Sequence, residues 1–274
     1  MRYAMKNYFV ALAFTAVLLP VACACGTPEP ARSGDGDPLP GNPGAKSYKN
    51  PVFREFLVAD PTVIRAEDGN FYLYATESGK NNIPILRSSD LVNWMKVGEV
   101  FTAENHPQIT DKAGANLWAP DINKIGDRYV LYYSQPGENN KHAIGVASGP
   151  SPVGPFTDHG KLIGSDEIGV DISIDQFYIE EDGHKYMFWG SFRGIWAIEL
   201  ADDGLSLKPG AGKRKIAGDQ YEGTYIHKRD GYYYLIVSTG DFMKDYHVVV
   251  GRSRSLMGPC LLYTSDAADE ARSV

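Results

Sequence analysis

ADPTVIRAEDGNFYLYAT, from Ala59 to Thr76, contains the phrase that decides the fold: a carboxylate heading a short apolar run, an acidic Gly-containing turn, then an aromatic-rich strand. The phrase returns as APDINKIGDRYVLYYS from Ala119, IDQFYIEEDGHKYMFWGS from Ile174 and EGTYIHKRDGYYYLIVST from Glu222. Taking Tyr72, Val130, Met187 and Tyr234 as equivalent strand positions, the intervals are 58, 57 and 47 residues, near the repeat length of propeller blades joined by unequal loops. Asp60, Asp175 and Glu222 each stand 12 residues before their marker, and Asp121 stands 9 before its own. A blade sets its first strand against the central channel, so this spacing predicts acids converging on one axis.

Outward from the repeat, the pattern stays β. Phe71 to Tyr74, Tyr129 to Tyr133, Tyr186 to Trp189 and Tyr232 to Val237 are β-branched and aromatic runs bounded by Gly, Asp or Asn, the composition of strands. A third strand follows each: Ile83 to Arg87, His142 to Ala147, Gly194 to Leu200 and His247 to Arg252. No long segment of 3.6-residue period competes. Glu67-Asp68-Gly69 and Glu181-Asp182-Gly183 are hairpin turns,, and most tyrosines are expected to fill the spaces between blades. The fold class is all-β.

Composition bounds the function. The chain has 274 residues, 43% hydrophobic, with a formal net charge of -7; it can bury a sizeable core and carries no basic stripe for nucleic acid. Walker-type and dinucleotide glycine motifs are absent,. Arg2 and Lys6 precede an apolar run from Tyr8 to Val21, short for a membrane span but suited to an export signal. Residues 1–25 are therefore expected to be a signal peptide, and 26–46, rich in Pro, Gly and Asp, a flexible tether,. Cys23 and Cys25 close the apolar run and offer lipid-acceptor positions of a bacterial lipoprotein, against simple cleavage as the alternative,. With Cys260 the only other cysteine, no disulfide framework is expected,. The expected location is the periplasm, an outer-membrane anchor or the extracellular space.

Two acids have company. Asp60 precedes Pro61, a residue tolerated where a strand borders a channel or edge. Trp118-Ala119-Pro120-Asp121 sets an indole three residues from a carboxylate; an aromatic face beside acids suits a sugar ring, although blade packing is the plainer reading of Trp118 on its own.

The ordered set VADPTVI, LWAPDI, SIDQFYIEEDG, YEGTYIHKRDGYYYL and VVVGRSRSLMGP resembles glycoside hydrolase family 43, five-bladed propeller enzymes that cleave arabinose- and xylose-containing polysaccharides with inversion. The likeness runs from Pro51 to Pro259. Carried over by position, it implies Asp60 as general base, Asp175 as the acid that modulates its neighbour's pKa, and Glu222 as general acid. Inversion needs a protonated acid at the leaving oxygen and an ionised one to activate water from the opposite face. A third carboxylate nearby would hold the acid protonated. Trp118 and Phe192 are candidate aromatic contacts to substrate, and Asp121 fits a substrate-binding, orienting role or a structural one.

The strings WAPDI, GPFTDHG and VVVGRSRSLMGP look most like the arabinan-directed branch, implying an α-1,5-arabinanase. Ala59 stands where many arabinanases carry His before the base, so exo-acting arabinofuranosidase or xylosidase activity stays open. The chain's last residues, 260–274, lack strand alternation and the blade phrase, and read as a non-native tail on a truncated propeller: residues 47–259 would hold about four blades, the fifth missing. The resemblance implies no cofactor for the chemistry. A structural calcium ion is compatible with it, but the expected ligands would belong to the missing blade, and His227 and His247 read as ordinary strand residues. The partner is a poly- or oligosaccharide, with membrane tethering if a cysteine is acylated. A non-catalytic glycan-binding or inactive propeller is the alternative of another class.

Overall fold

Each copy of the phrase folds as the inner hairpin of a four-stranded antiparallel sheet. The computed structural model describes residues 49–241, 243–259 and 261–263, all within the unit Tyr48–Val274. The expected signal peptide, Cys23, Cys25 and the tether lie outside the described residues, as does most of the expected tail.

The first blade consists of β1 (Thr62–Arg65), β2 (Phe71–Tyr74), β3 (Pro84–Ser88) and β4 (Met95–Glu99). The second holds β5 (Trp118–Ile125), β6 (Arg128–Gln135), β7 (Ala143–Gly149) and β8 (Thr157–Gly164). The third holds β9 (Phe177–Glu181), β10 (His184–Trp189), β11 (Ile195–Leu200) and β12 (Arg214–Ala217). The fourth holds β13 (Glu222–Arg229), β14 (Tyr232–Thr239), β15 (His247–Ser253) and β16 (Leu261–Tyr263). Strands join in sequence order within each sheet, and first strands meet in series, β1 against β5, β5 against β9 and β9 against β13. This is a propeller arrangement of four blades among the described residues. Leu261–Tyr263 pairs with β15, Val250 opposite Tyr263, so three residues of the expected tail lie in a sheet.

Three apolar cores fill the spaces between consecutive blades, as alternation along each strand requires. Tyr72, Tyr74, Ile85, Leu131 and Tyr133 pack between the first two blades. Tyr132, Val146, Tyr178, Met187 and Trp189 pack between the second and third. Phe188, Ala197, Ile226, Leu235 and Val237 pack between the third and fourth. The tyrosines do fill blade interfaces, and their hydroxyls find partners: that of Tyr132 donates to the Gly204 carbonyl at 2.7 Å, that of Tyr133 to Asp158 at 2.7 Å.

One irregularity repeats in every blade. In the second blade Trp118 pairs with Ser134 and Asp121 with Tyr132, leaving one extra residue on β5. In the fourth, Glu222 pairs with Ser238 and Tyr225 with Ile236. In the first, the Thr76 amide donates to the Ala59 carbonyl and Thr62 pairs with Tyr74; in the third, the Gly190 amide donates to Ile174 and Phe177 pairs with Phe188. All four are one-residue bulges, which re-aim a strand at the rim of a site. Each places one residue in the left-handed region: Asp60 (φ 48°), Ala119 (φ 42°), Asp175 (φ 59°) and Gly223 (φ 62°). Asp and Gly enter that region more readily than most residues.

The bulges correct the sequence register. Counting four residues on from each left-handed position, Ile64, Asn123, Ile179 and His227 pair with Tyr72, Val130, Tyr186 and Tyr234. The third marker is therefore Tyr186, not Met187, and the equivalent of Asp60 and Asp175 in the fourth blade is Gly223. Glu222 stands one residue earlier, and its longer side chain suits that setback.

Candidate active site

The four bulges ring a cavity of about 940 Å³ whose wall includes Asp60, Trp118, Asp121, Asp175 and Glu222. Three carboxyls reach it from three different blades. Phe192 is not among the lining residues; it sits half-buried after β10, its amide donating to the Tyr221 carbonyl at 3.0 Å. Its candidacy as a substrate contact is not supported by its position.

Asp60 is exposed at the cavity mouth. Its Oδ2 accepts from the Thr76 hydroxyl at 2.5 Å, and that hydroxyl accepts the Ala119 amide at 2.9 Å. The hydroxyl proton is thereby committed to Asp60, which fixes the carboxylate and leaves Oδ1 for a water. Glu222 Oε2 accepts from the buried Ser191 hydroxyl at 2.6 Å, leaving Oε1 directed to other partners. Tyr246, whose phenol is in hydrogen-bonding relation with Glu222 and Ser238, also lines the cavity; no sequence signal singled it out.

Asp175 is half-buried in the cavity wall. Burial, then the charges of Glu222 and Asp60, push its carboxyl up to about 8, opposed by the Gly223 amide that hydrogen-bonds to it. Among the described residues no three His, Cys, Asp or Glu side chains group closely enough to hold a metal ion. His227 and His247 are exposed on β13 and β15 and line no part of the cavity.

Asp121 has a different character. Its Oδ2 accepts the Tyr178 amide at 2.7 Å and the Asn123 side-chain amide at 3.0 Å, tying the second blade to the third. Burial pushes this carboxyl up to about 6. It braces the wall, with its hydrogen bonds directed into protein. Trp118 is half-buried and meets His142 edge to face, ring centroids 6.2 Å apart at 88°. The indole borders the acids, and His142 supports it from behind: the Gly137 amide donates to His142 Nδ1 at 3.0 Å.

Carboxyls brought from three blades to one aromatic-edged cavity on a β-propeller are the equipment of a glycosidase. The chain belongs to the glycosyl hydrolases family 43, whose model matches residues 48–269. It is similar to an extracellular endo-α-(1→5)-L-arabinanase of Bacillus subtilis, 33% identical over 75% of this chain and 68% of that protein. Among solved structures it resembles an exo-1,5-α-L-arabinanase from a bovine ruminal metagenomic library, with a TM-score of 0.62, 28% identity and coverage of 74% and 73% of the two chains. The α-L-arabinanase of Cellvibrio cellulosa complexed with arabinohexaose gives a TM-score of 0.62 at 29% identity, again covering 74% and 73%.

Proposed function

We propose that this protein is an inverting glycoside hydrolase acting on the α-1,5-linked arabinose chains of plant polysaccharide, with Glu222 as general acid, Asp60 as general base and Asp175 as the group that couples them. The observation that carries the reading is the convergence of these carboxyls from three blades on one cavity of about 940 Å³, room for a sugar and a water on opposite faces. Relatives named as arabinanases, one in complex with arabinohexaose, support arabinan as the polymer.

In this mechanism Glu222 delivers its proton from Oε1 to the glycosidic oxygen while Ser191 steadies Oε2. Asp60, steadied by Thr76, takes a proton from the water that attacks the anomeric carbon from the opposite face. Asp175, kept protonated below about pH 8, adds no charge beside Glu222 and spares its neighbours a third repelling carboxylate. Trp118 supplies the flat apolar face for a sugar ring, and Asp121 holds the wall behind it. The apolar run Tyr8 to Val21 and the extracellular name of a relative support export, with Cys23 or Cys25 as the acylation point if the protein is tethered.

The test is hydrolysis of linear arabinan, arabinoxylan and the nitrophenyl arabinofuranoside and xyloside, with Glu222→Gln alongside. Arabinan cleavage lost by about 10²- to 10⁴-fold in the variant, the range of general-acid contributions, is the expected result, and an inverted anomer in the first product by NMR fixes the stereochemistry. Activity confined to the small glycosides would make the enzyme exo-acting. No hydrolysis of any substrate, with retained arabinan binding, would make it a glycan-binding propeller.

A further inference from the structure

A buried polar relay behind the cavity belongs to none of the roles above. The Asp175 amide donates to the Ser134 hydroxyl at 3.1 Å. That hydroxyl donates to Gln176 Oε1 at 2.7 Å, and Gln176 Nε2 donates to the Ala119 carbonyl at 2.5 Å. Ser134 is 0% exposed and Gln176 5%. The relay therefore ties two of the left-handed bulge residues, Ala119 and Asp175, across the seam between the second and third blades.

The corresponding positions in the other blades show what the relay replaces. The residue after the left-handed position is Pro61 in the first blade and Pro120 in the second, where the ring itself fixes the backbone. In the third it is Gln176, which has no such rigidity and secures the bulge through its amide. In the fourth it is Thr224, whose buried hydroxyl has no protein partner. The slot of Ser134 is held in the first blade by Thr76, whose hydroxyl likewise accepts the next bulge's amide, that of Ala119.

We propose that Ser134 and Gln176 are positioning residues of the reaction, holding Asp175 at its left-handed backbone angle and Ala119, beside Trp118, at a fixed offset from it. The proposal rests on the hydrolase reading, and it assigns neither residue any contact with the sugar. Loss of the relay lets Asp175 rise toward the cavity and its water, away from the depth at which it faces Asp60, Glu222 and Tyr246.

The experiment compares the parent chain with Ser134→Ala, Ser134→Thr and Gln176→Met. Ser134→Thr copies the first blade and keeps the hydroxyl, so parent kcat is expected. Ser134→Ala and Gln176→Met are expected to lose kcat about 10- to 100-fold, the scale of a displacement near 1 Å, with KM within about twofold. A carboxyl ¹³C NMR titration, with Asp175→Asn to assign the resonance, gives a readout that mere loss of stability does not move. The Asp175 midpoint is expected to fall toward the ordinary carboxylate range in Ser134→Ala and Gln176→Met and to stay at the parent value in Ser134→Thr. A folded Ser134→Ala or Gln176→Met with parent kcat and parent midpoint would overturn the proposal. Because the titration needs no turnover, a parent chain that hydrolyses nothing but whose Asp175 responds to Ser134 sinks the proposed reaction and leaves the relay standing. Turnover with an indifferent Asp175 does the reverse.

Discussion

Replacing Asp175 by Asn should make the protein more stable at pH 8 while leaving its stability near pH 3 unchanged. The Asp175 carboxyl is pushed from its ordinary 3.8 up to about 8 in the fold. Near pH 3 both the folded and the unfolded chain hold the proton, and the residue costs nothing. As pH rises past 4 the unfolded chain releases it and the folded chain keeps it, so stability declines until the folded carboxyl also ionises near pH 8. Above that the loss is constant. At 1.36 kcal/mol per pH unit, a window of about four pH units comes to about 5 kcal/mol, trimmed to a few kcal/mol by solvent screening through the cavity mouth. Asn is neutral throughout and still offers an oxygen to the Gly223 amide, so the variant should lack this decline. Urea unfolding of both proteins, followed by tryptophan fluorescence at half-unit steps from pH 3 to 8.5, measures the difference directly. Parallel stability curves across that range would refute the burial and coupling argued for Asp175.

Trp118→Ala should raise KM on arabinan roughly tenfold, the weight of about 1.4 kcal/mol, whereas Phe192→Ala, outside the cavity wall, should leave both kinetic constants within about twofold. Gly223→Ala meets open space at φ +62° and should cost about 1–2 kcal/mol in denaturant unfolding. Gly190→Ala places its Cβ against the Gly194 carbonyl at φ +142° and should cost about 3 kcal/mol or more in the same assay. Trp189→Ala empties a site that is 0% exposed and abandons the Ser173 hydroxyl; a loss of about 3–5 kcal/mol is expected by calorimetry.

The blades were legible because hairpin chemistry is local. Asp-Gly turns between aromatic runs announce paired strands, and Asp60, Asp175 and Glu222 were visible at the head of each. What counting could not see was the bulge. A longer turn in the first blade, where Arg65 pairs with Phe71, offset a one-residue error at Met187, and the two together made Glu222 look equivalent to Asp60. Only the hydrogen-bond register separates them. Asp121 lies two residues past a left-handed Ala119, and its carboxyl turns into the blade seam to meet the Tyr178 amide, a contact that counting could not foresee. Phe192 had an aromatic ring in a plausible string and nothing else. Ser134 and Gln176 sit inside the repeated phrase and Tyr246 outside it, but nothing in the strings marks any of the three, since their importance comes from contacts between segments far apart in sequence.

At the junction of the third and fourth blades the hydroxyl that elsewhere catches the next bulge's amide is missing: Gly190 stands where Thr76 and Ser134 stand in the first two blades. The Asp175 carboxyl accepts the Gly223 amide instead, and Glu222 reaches back across the same seam to Ser191. Two of the three carboxyls proposed for the reaction are thus also rivets. Alanine at either position removes chemistry and a fastening in one stroke, so a dead enzyme made that way would be a loosened one too. An inert version meant to trap bound arabinan in its natural pose is better built from Asn and Gln, which keep the rivets and discard only the proton traffic.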